Sequence, residues 1–297
     1  MSANGVGDYR PLHGERRAPL AACGAIMRTS LRQLFRRKVY WIVLAIGLGQ
    51  YLVYASVIYG LTQMQMPERS KNMLLQSFNF SPNADDPQET GYLQFVEAQS
   101  LVVMILLALC GSQMIGSDFR DGVLPFYLSR RIERRHYVLG KILAIIAVVW
   151  LLTIVPAFAL FIEFGLFTTS LDYWRENWKI VPALLGYGLV LGGVTAVWLA
   201  AISAYLQRLA PIAVTWASLF LLMGRLALAL RDATGDRRWL LLDPWRDLRL
   251  AGRLFYGVFP TADDRQLPLQ AVAILVVVTV VALAALMRRV RAVEVVS

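Results

Sequence analysis

Ionisable side chains are scarce in this chain, and histidine and cysteine are nearly missing. Charged residues make up 17% of 297, with two histidines and two cysteines. His13 and His136 fall outside the long apolar runs, so no histidine is placed to act as base for a serine nucleophile inside a membrane. No HExxH pair is present to hold zinc from one helix face. Cys23 and Cys110 are too few and too ill-placed for a disulfide scaffold or a thiolate metal site. The phosphate-cradling GxxxxGK[ST] loop is also missing, because Gly140 and Lys141 lack the upstream glycine and are followed by Ile142. If the chain takes part in active transport, another polypeptide must bind the nucleotide. The first 20 residues hold Asp8, Arg10, Glu15, Arg16 and Arg17 and no apolar centre, so no cleavable signal peptide is expected.

What the chain has instead is hydrophobic length. It is 57% hydrophobic, with a mean hydropathy of +0.53. Six apolar runs stand out, at 39–60, 98–116, 142–162, 180–206, 209–230 and 267–287. Runs of about 20 residues, rising 1.5 Å each, cross a hydrocarbon core about 30 Å thick. The runs 180–206 and 267–287 contain no charge and have no polar face of the kind a soluble helix needs. The expected fold is an all-α polytopic membrane protein with six transmembrane helices. It divides into an N-terminal region 1–38, a membrane domain 39–287 and a tail 288–297.

Charge sets the expected orientation. Residues 1–38 hold eight basic and two acidic side chains, residues 117–141 six and three, and the tail three and one, while Arg208 lies in the connection 207–208. The alternate segments are acidic or near balance: 61–97 has two basic and five acidic residues, 166–179 has two of each, and 231–266 has seven and six. Basic residues favour the cytoplasmic side, so both termini are expected there. Glu163 and Arg225 are the only charges this reading places inside spans. Each lies close enough to an outer end to snorkel to the interface.

Met27, Leu31, Leu34 and Phe35 share one helical arc, with Arg28, Arg32, Arg36 and Arg37 off it. An amphipathic helix in the inner headgroup layer is expected before the first span. The centre of loop 61–97, with Pro67, Pro82, Pro87, Asp85 and Asp86, is expected to be irregular. Loop 231–266 interleaves Trp239, Trp245, Phe255, Tyr256 and Phe259 with arginines, which predicts short helices lying in the outer interface. Gly188 and Gly192 form a GxxxG pair, with Gly186 and Gly193 nearby, a face suited to close packing against another span or a second protomer, of which packing within the chain is expected. Pro156, Pro182 and Pro211 sit inside spans or at their starts, where proline kinks or opens a helix.

The most informative stretch is the polar island 118–141, DFRDGVLPFYLSRRIERRHYVLGK, set between two apolar runs. It resembles the segment after the second span in permeases of the type-2 ATP-binding-cassette (ABC) exporter family. Asp118 takes that pattern's acidic position, Gly122 and Leu124 its Gly–x–Leu, Leu128 and Ser129 the next pair, and Gly140 and Lys141 its Gly–Lys end. Val123 replaces the usual threonine, Asp118 the commoner glutamate, and Arg131 a frequent proline. The likeness extends to the basic N-terminal elbow, the six spans and the long loop between the fifth and sixth.

The resemblance implies a permease in the bacterial cytoplasmic (inner) membrane, paired with a second copy or a paralogue and docked on two cytoplasmic ATPase subunits. ATP and Mg²⁺ would be bound by the ATPases, with no cofactor on this chain. The island would hold a coupling helix seated in a groove of the ATPase. Asp118, Gly122, Leu124, Pro125, Phe126, Tyr127, Arg130, Arg131, Arg134, Gly140 and Lys141 are its candidate residues. The apolar members would supply the docking face, and the arginines a charged rim. Met27, Arg28, Leu31, Arg32, Leu34, Phe35 and Arg36 would form the membrane-interface helix. Two other classes are compatible with the composition: a membrane-embedded enzyme acting on lipid, and a scaffold or assembly subunit that transports nothing. The missing bases and metal ligands weigh against the first.

Overall fold

A computed structural model describes residues 19–78, 80, 89–122, 133–168, 171–258 and 266–294. Every regular element among them is helical. Six helices are long and apolar enough to cross a membrane: Lys38–Gln63, Gly91–Arg120, Arg134–Thr168, Ile180–Leu206, Leu209–Thr234 and Gln266–Arg291, the first to sixth spans. They coincide with the six apolar runs, and the fourth matches end for end. Several of the others run further, because hydropathy falls at the first charged residue while helical hydrogen bonding continues past it.

The fourth span is the hub. Its apolar stretch is 67% buried, whereas those of the first, fifth and sixth spans are 28%, 22% and 17% buried and lie at the periphery. Small residues explain the close packing. Trp150 Nε1 in the third span donates to the Gly188 carbonyl at 2.9 Å. A Cβ on Gly188 would lie 2.4 Å from Ile154 Cγ1, whereas one on Gly193 would meet nothing within 4 Å. The GxxxG pair therefore serves packing within the chain. Gly188→Ala should lower thermal stability in detergent by about 1–3 kcal/mol through overpacking. Gly193→Ala should be neutral or slightly stabilising, as glycine is the poorer helix former.

The third span breaks at Thr153, three residues before Pro156, whose ring removes a donor and crowds the preceding turn. Pro182 and Pro211 each sit in the first turn of a span, where proline costs little. The fourth and fifth spans join through Gln207, in the left-handed region at φ 59°. In the loop after the first span, Pro67 precedes an unanticipated helix, Glu68–Phe78. Residues 81–88, where irregular chain is expected, lie outside the described residues.

The segment between the fifth and sixth spans departs from expectation. A 3₁₀ turn, Arg237–Leu242, leads into a helix, Pro244–Tyr256. Asp243 caps that helix by accepting from the Trp245 N–H at 3.0 Å, Pro244 occupies the first turn, and Gly257 closes it at φ 70°. The helix does not lie flat on the interface. At its start, the Trp245 ring is 6.4 Å from that of Phe220, near the middle of the fifth span. At its end, Gly252 packs on Leu93 and Tyr187, and Phe255 on Gly186, near the ends of the second and fourth spans. It thus re-enters the bundle to about mid-span depth and buries Asp247, Leu248, Ala251, Gly252 and Tyr256. Of the expected aromatic anchors, Trp239 and Phe255 remain exposed and Tyr256 is buried. Phe259 lies outside the described residues. The interfacial reading fails because one face of this helix, with Leu248, Ala251 and Gly252, packs against the second, fourth, fifth and sixth spans.

Candidate functional site

The second span ends in a π-helical turn, Ser112–Gly116, followed by one α-turn, Ser117–Arg120. Such π segments are rare and recur at functional sites. This turn carries Asp118 into the protein, where the residue is 7% exposed. Lys141, in the second turn of the third span, is 2% exposed and places Nζ 2.8 Å from Asp118 Oδ2. The Tyr137 hydroxyl donates to the same oxygen at 2.7 Å. The two ends of the island, distant in the chain, are therefore tied by a buried, hydrogen-bonded ion pair.

Two further segments close on this base. The N-terminal helix Pro19–Phe35 packs along the start of the third span. Cys23 Sγ donates to the His136 carbonyl at 3.4 Å. A Cβ on Gly140 would lie 2.9 Å from Ile26 Cβ and 3.0 Å from the Cys23 carbonyl oxygen. One on Gly116 would lie 3.0 Å from the Gln207 carbonyl oxygen, so the connection between the fourth and fifth spans abuts it too. The N-terminal helix, the two described ends of the island and the 207–208 connection thus share one side of the bundle.

The amphipathic helix is present, with its buried stripe turned from the expected arc. Cys23, Ile26, Ser30 and Leu34 are buried, Met27, Leu31 and Phe35 are half-buried, and Arg28, Arg32 and Arg36 are exposed. The helix leans one edge on protein, and only the flank of Met27, Leu31 and Phe35 remains partly open, with the arginines beyond it. Ser30 is polar and Cys23 small, so an arc defined by large apolar residues leaves both out although both are buried.

Of the island's candidates, Asp118, Gly122, Arg134, Gly140 and Lys141 lie within the described residues, whereas Leu124, Pro125, Phe126, Tyr127, Arg130 and Arg131 lie outside them. Gly122 adopts φ +63°, a left-handed position directly after the helix end. Arg120 Nε donates to Asp121 Oδ1 at 2.8 Å and holds that carboxyl below its ordinary range. Both groups are exposed, so this pair adds little to stability. Arg134 opens the third span.

The match to a family model rests on the same frame. The model described as ABC-2 family transporter protein matches residues 25–291, from the N-terminal helix to the end of the sixth span. The chain belongs to that family. No curated protein sequence matches it. This ABC-2 family chain is a membrane component of a transporter, of a family that works in association with ABC ATPases.

The ABC-2 chain carries a second group of polar residues that the sequence reading missed. Glu97, assigned from the sequence to a loop, lies inside the second span, because the helix begins before the hydropathy does. The re-entrant helix brings Arg249 and Arg253 near it. Glu97 Oε1 and Arg249 Nε are buried with no hydrogen-bond partner. Glu163, beside Tyr51 of the first span, and Arg225, exposed on the fifth, are therefore not the only charges within spans.

A cavity of about 700 Å³ opens beside Glu97, lined by Gln50, Leu101, Met104, Trp216, Phe220 and Trp245 among others from the first, second and fifth spans and the re-entrant helix. Its walls are apolar apart from Gln50 and Glu97, a composition suited to an amphiphile. Among the described residues no cluster of three or more metal-ligating side chains occurs.

Proposed function

We propose that this chain is the membrane-spanning permease of an ABC exporter, with both termini in the cytoplasm of a bacterial cell and its spans in the cytoplasmic membrane. It pairs with a second copy or a paralogue and docks on two ATPase subunits that bind ATP and Mg²⁺. The island between Asp118 and Lys141 is the docking element. The observation that carries the reading is the buried Asp118–Lys141 pair, which couples the second and third spans at the base of the island. A push on the island would move both spans together rather than bend a loose loop. ATPase closure would thereby be transmitted to the packed helices, which have discrete rather than continuous arrangements.

The basic surplus on the side of the N-terminal helix supports the orientation. The apolar cavity with Gln50 and Glu97 supports an amphiphilic, lipid-like substrate over a bare ion. The test starts from native membranes, where an ABC ATPase is expected to co-purify with the chain. In proteoliposomes containing both, deletion of residues 122–130 should abolish ATP-driven substrate movement while the permease remains folded. Transport at the undeleted rate would refute the coupling role. Absence of any ATPase from the purified complex would favour a scaffold.

A further inference from the structure

A second cavity, of about 570 Å³, lies on the other side of the fifth span. Trp198 and Ala201 of the fourth span, Ser218 and Leu219 of the fifth, and Leu275 and Val278 of the sixth contribute to its walls. The re-entrant helix closes it with Pro244 and Asp247. The fifth span therefore divides two cavities, with the π-helical turn Ser218–Leu222 in the dividing wall.

Among the described residues, Asp247 is the only ionisable one lining this second cavity. It is 1% exposed, and its Oδ1 is buried with no hydrogen-bond partner. An ionised carboxylate is held in such surroundings only with a counter-charge or donor. The walls supply no counter-charge, their Thr215 and Ser218 hydroxyls do not bond to this oxygen, and the electrostatic neighbours on the same segment, Asp243 and Arg246, oppose each other. An anionic head would meet the Asp247 carboxylate. A cationic head would supply the missing donor and charge, while an alkyl chain would fill the apolar remainder. The volume falls in the range of about 300–1,000 Å³ usual for small-molecule sites. The fifth and sixth spans, the least enclosed of the six, give lateral access from the bilayer.

We propose that this cavity binds a cationic amphiphile, an alkyl chain ending in an ammonium group, with the ammonium seated against Asp247. The site is separate from the cavity beside Glu97, and its occupancy requires neither an ATPase nor a direction of transport.

The test uses the full chain in maltoside micelles and two spin-labelled probes of equal chain length, a primary alkylammonium and the corresponding alcohol. The motionally restricted fraction is read by electron paramagnetic resonance. Saturable binding of the cation is expected, about tenfold or more tighter than the alcohol, as a charge-assisted contact in a buried site provides. Asp247→Asn should bring the two probes to within about twofold of each other. Val278→Trp, at a half-exposed wall position, should weaken both probes by filling the cavity without removing the carboxylate. An alcohol that binds as tightly as the cation overturns the proposal, since the site would then hold a neutral acid. A cation preference that survives Asp247→Asn, or binding unchanged by Val278→Trp, also overturns it. Val278→Trp keeps the test decisive if Asp247→Asn does not fold.

Discussion

Lys141→Met should lower the stability of this permease by about 3–5 kcal/mol, the usual cost of removing one partner from a buried ion pair. The substitution leaves Asp118 buried without its counter-charge, with Tyr137 as its remaining donor at 2.7 Å. Most of the penalty comes from that stranded carboxylate, since the intact pair itself gains little net energy over apolar residues. The double variant Asp118→Asn, Lys141→Met should therefore recover a large part of the loss. Thermal unfolding in detergent, with the two single variants and the double, closes the cycle. A double variant no more stable than Lys141→Met would mean that the loss comes from packing of the lysine stem instead. Transport by the stable double variant would then separate the two roles of the pair. If rigidity at the island base transmits ATPase closure, the double variant folds but moves substrate poorly per ATP.

Gly140→Leu should detach the N-terminal helix from the third span. The obstacle to a side chain there is in part backbone, the Cys23 carbonyl oxygen at 3.0 Å, which no rotamer change can clear. The helix would lose the burial of Ile26 and Leu34, each worth roughly 1.5–3 kcal/mol when fully transferred from water. The measurement is built into the chain, because Cys23 is a free thiol 2% exposed beneath this contact. Maleimide labelling of Cys23 should be slow in the natural chain and rapid in Gly140→Leu. Cys110, at 0% exposure in the second span, serves as the internal control and should stay unlabelled in both. Slow labelling in the variant would show that the helix shifts with the larger side chain and remains docked.

Much of this permease is legible in its sequence. The fourth span could be bounded at both ends because Lys179 and Gln207 flank an uncharged run. The second span was cut short at Glu97, since a hydropathy reading stops at a charge that the folded chain shelters beside Arg249 and Arg253. The re-entrant helix carried its own signals in Asp243, Pro244 and Gly257, a capping residue, a first-turn proline and a closing glycine. Those signals fix a helix and its ends. They do not say that it dips into the bundle, which depends on the fit of Gly252 against Tyr187 and Leu93. In the N-terminal helix, Leu34 of the expected arc is buried and Met27 and Leu31 are half-buried, while the contact also takes in Cys23, Ile26 and Ser30.

The sequence by itself determined six helices, their order and the concentration of basic charge on one side. Lipid offers no partner for backbone N–H and C=O groups, so an apolar run of spanning length in this chain satisfies them as a helix. Tertiary structure alone decided which charges meet. Spacing within one helix predicts neighbours three and four residues apart. The pairing of Asp118 with Lys141, the approach of Glu97 to two arginines and the seating of Asp247 in an apolar cavity join separate segments. Those contacts are set by how the spans and the re-entrant helix pack, where small residues such as Gly140, Gly188 and Gly252 let one helix come close to the next.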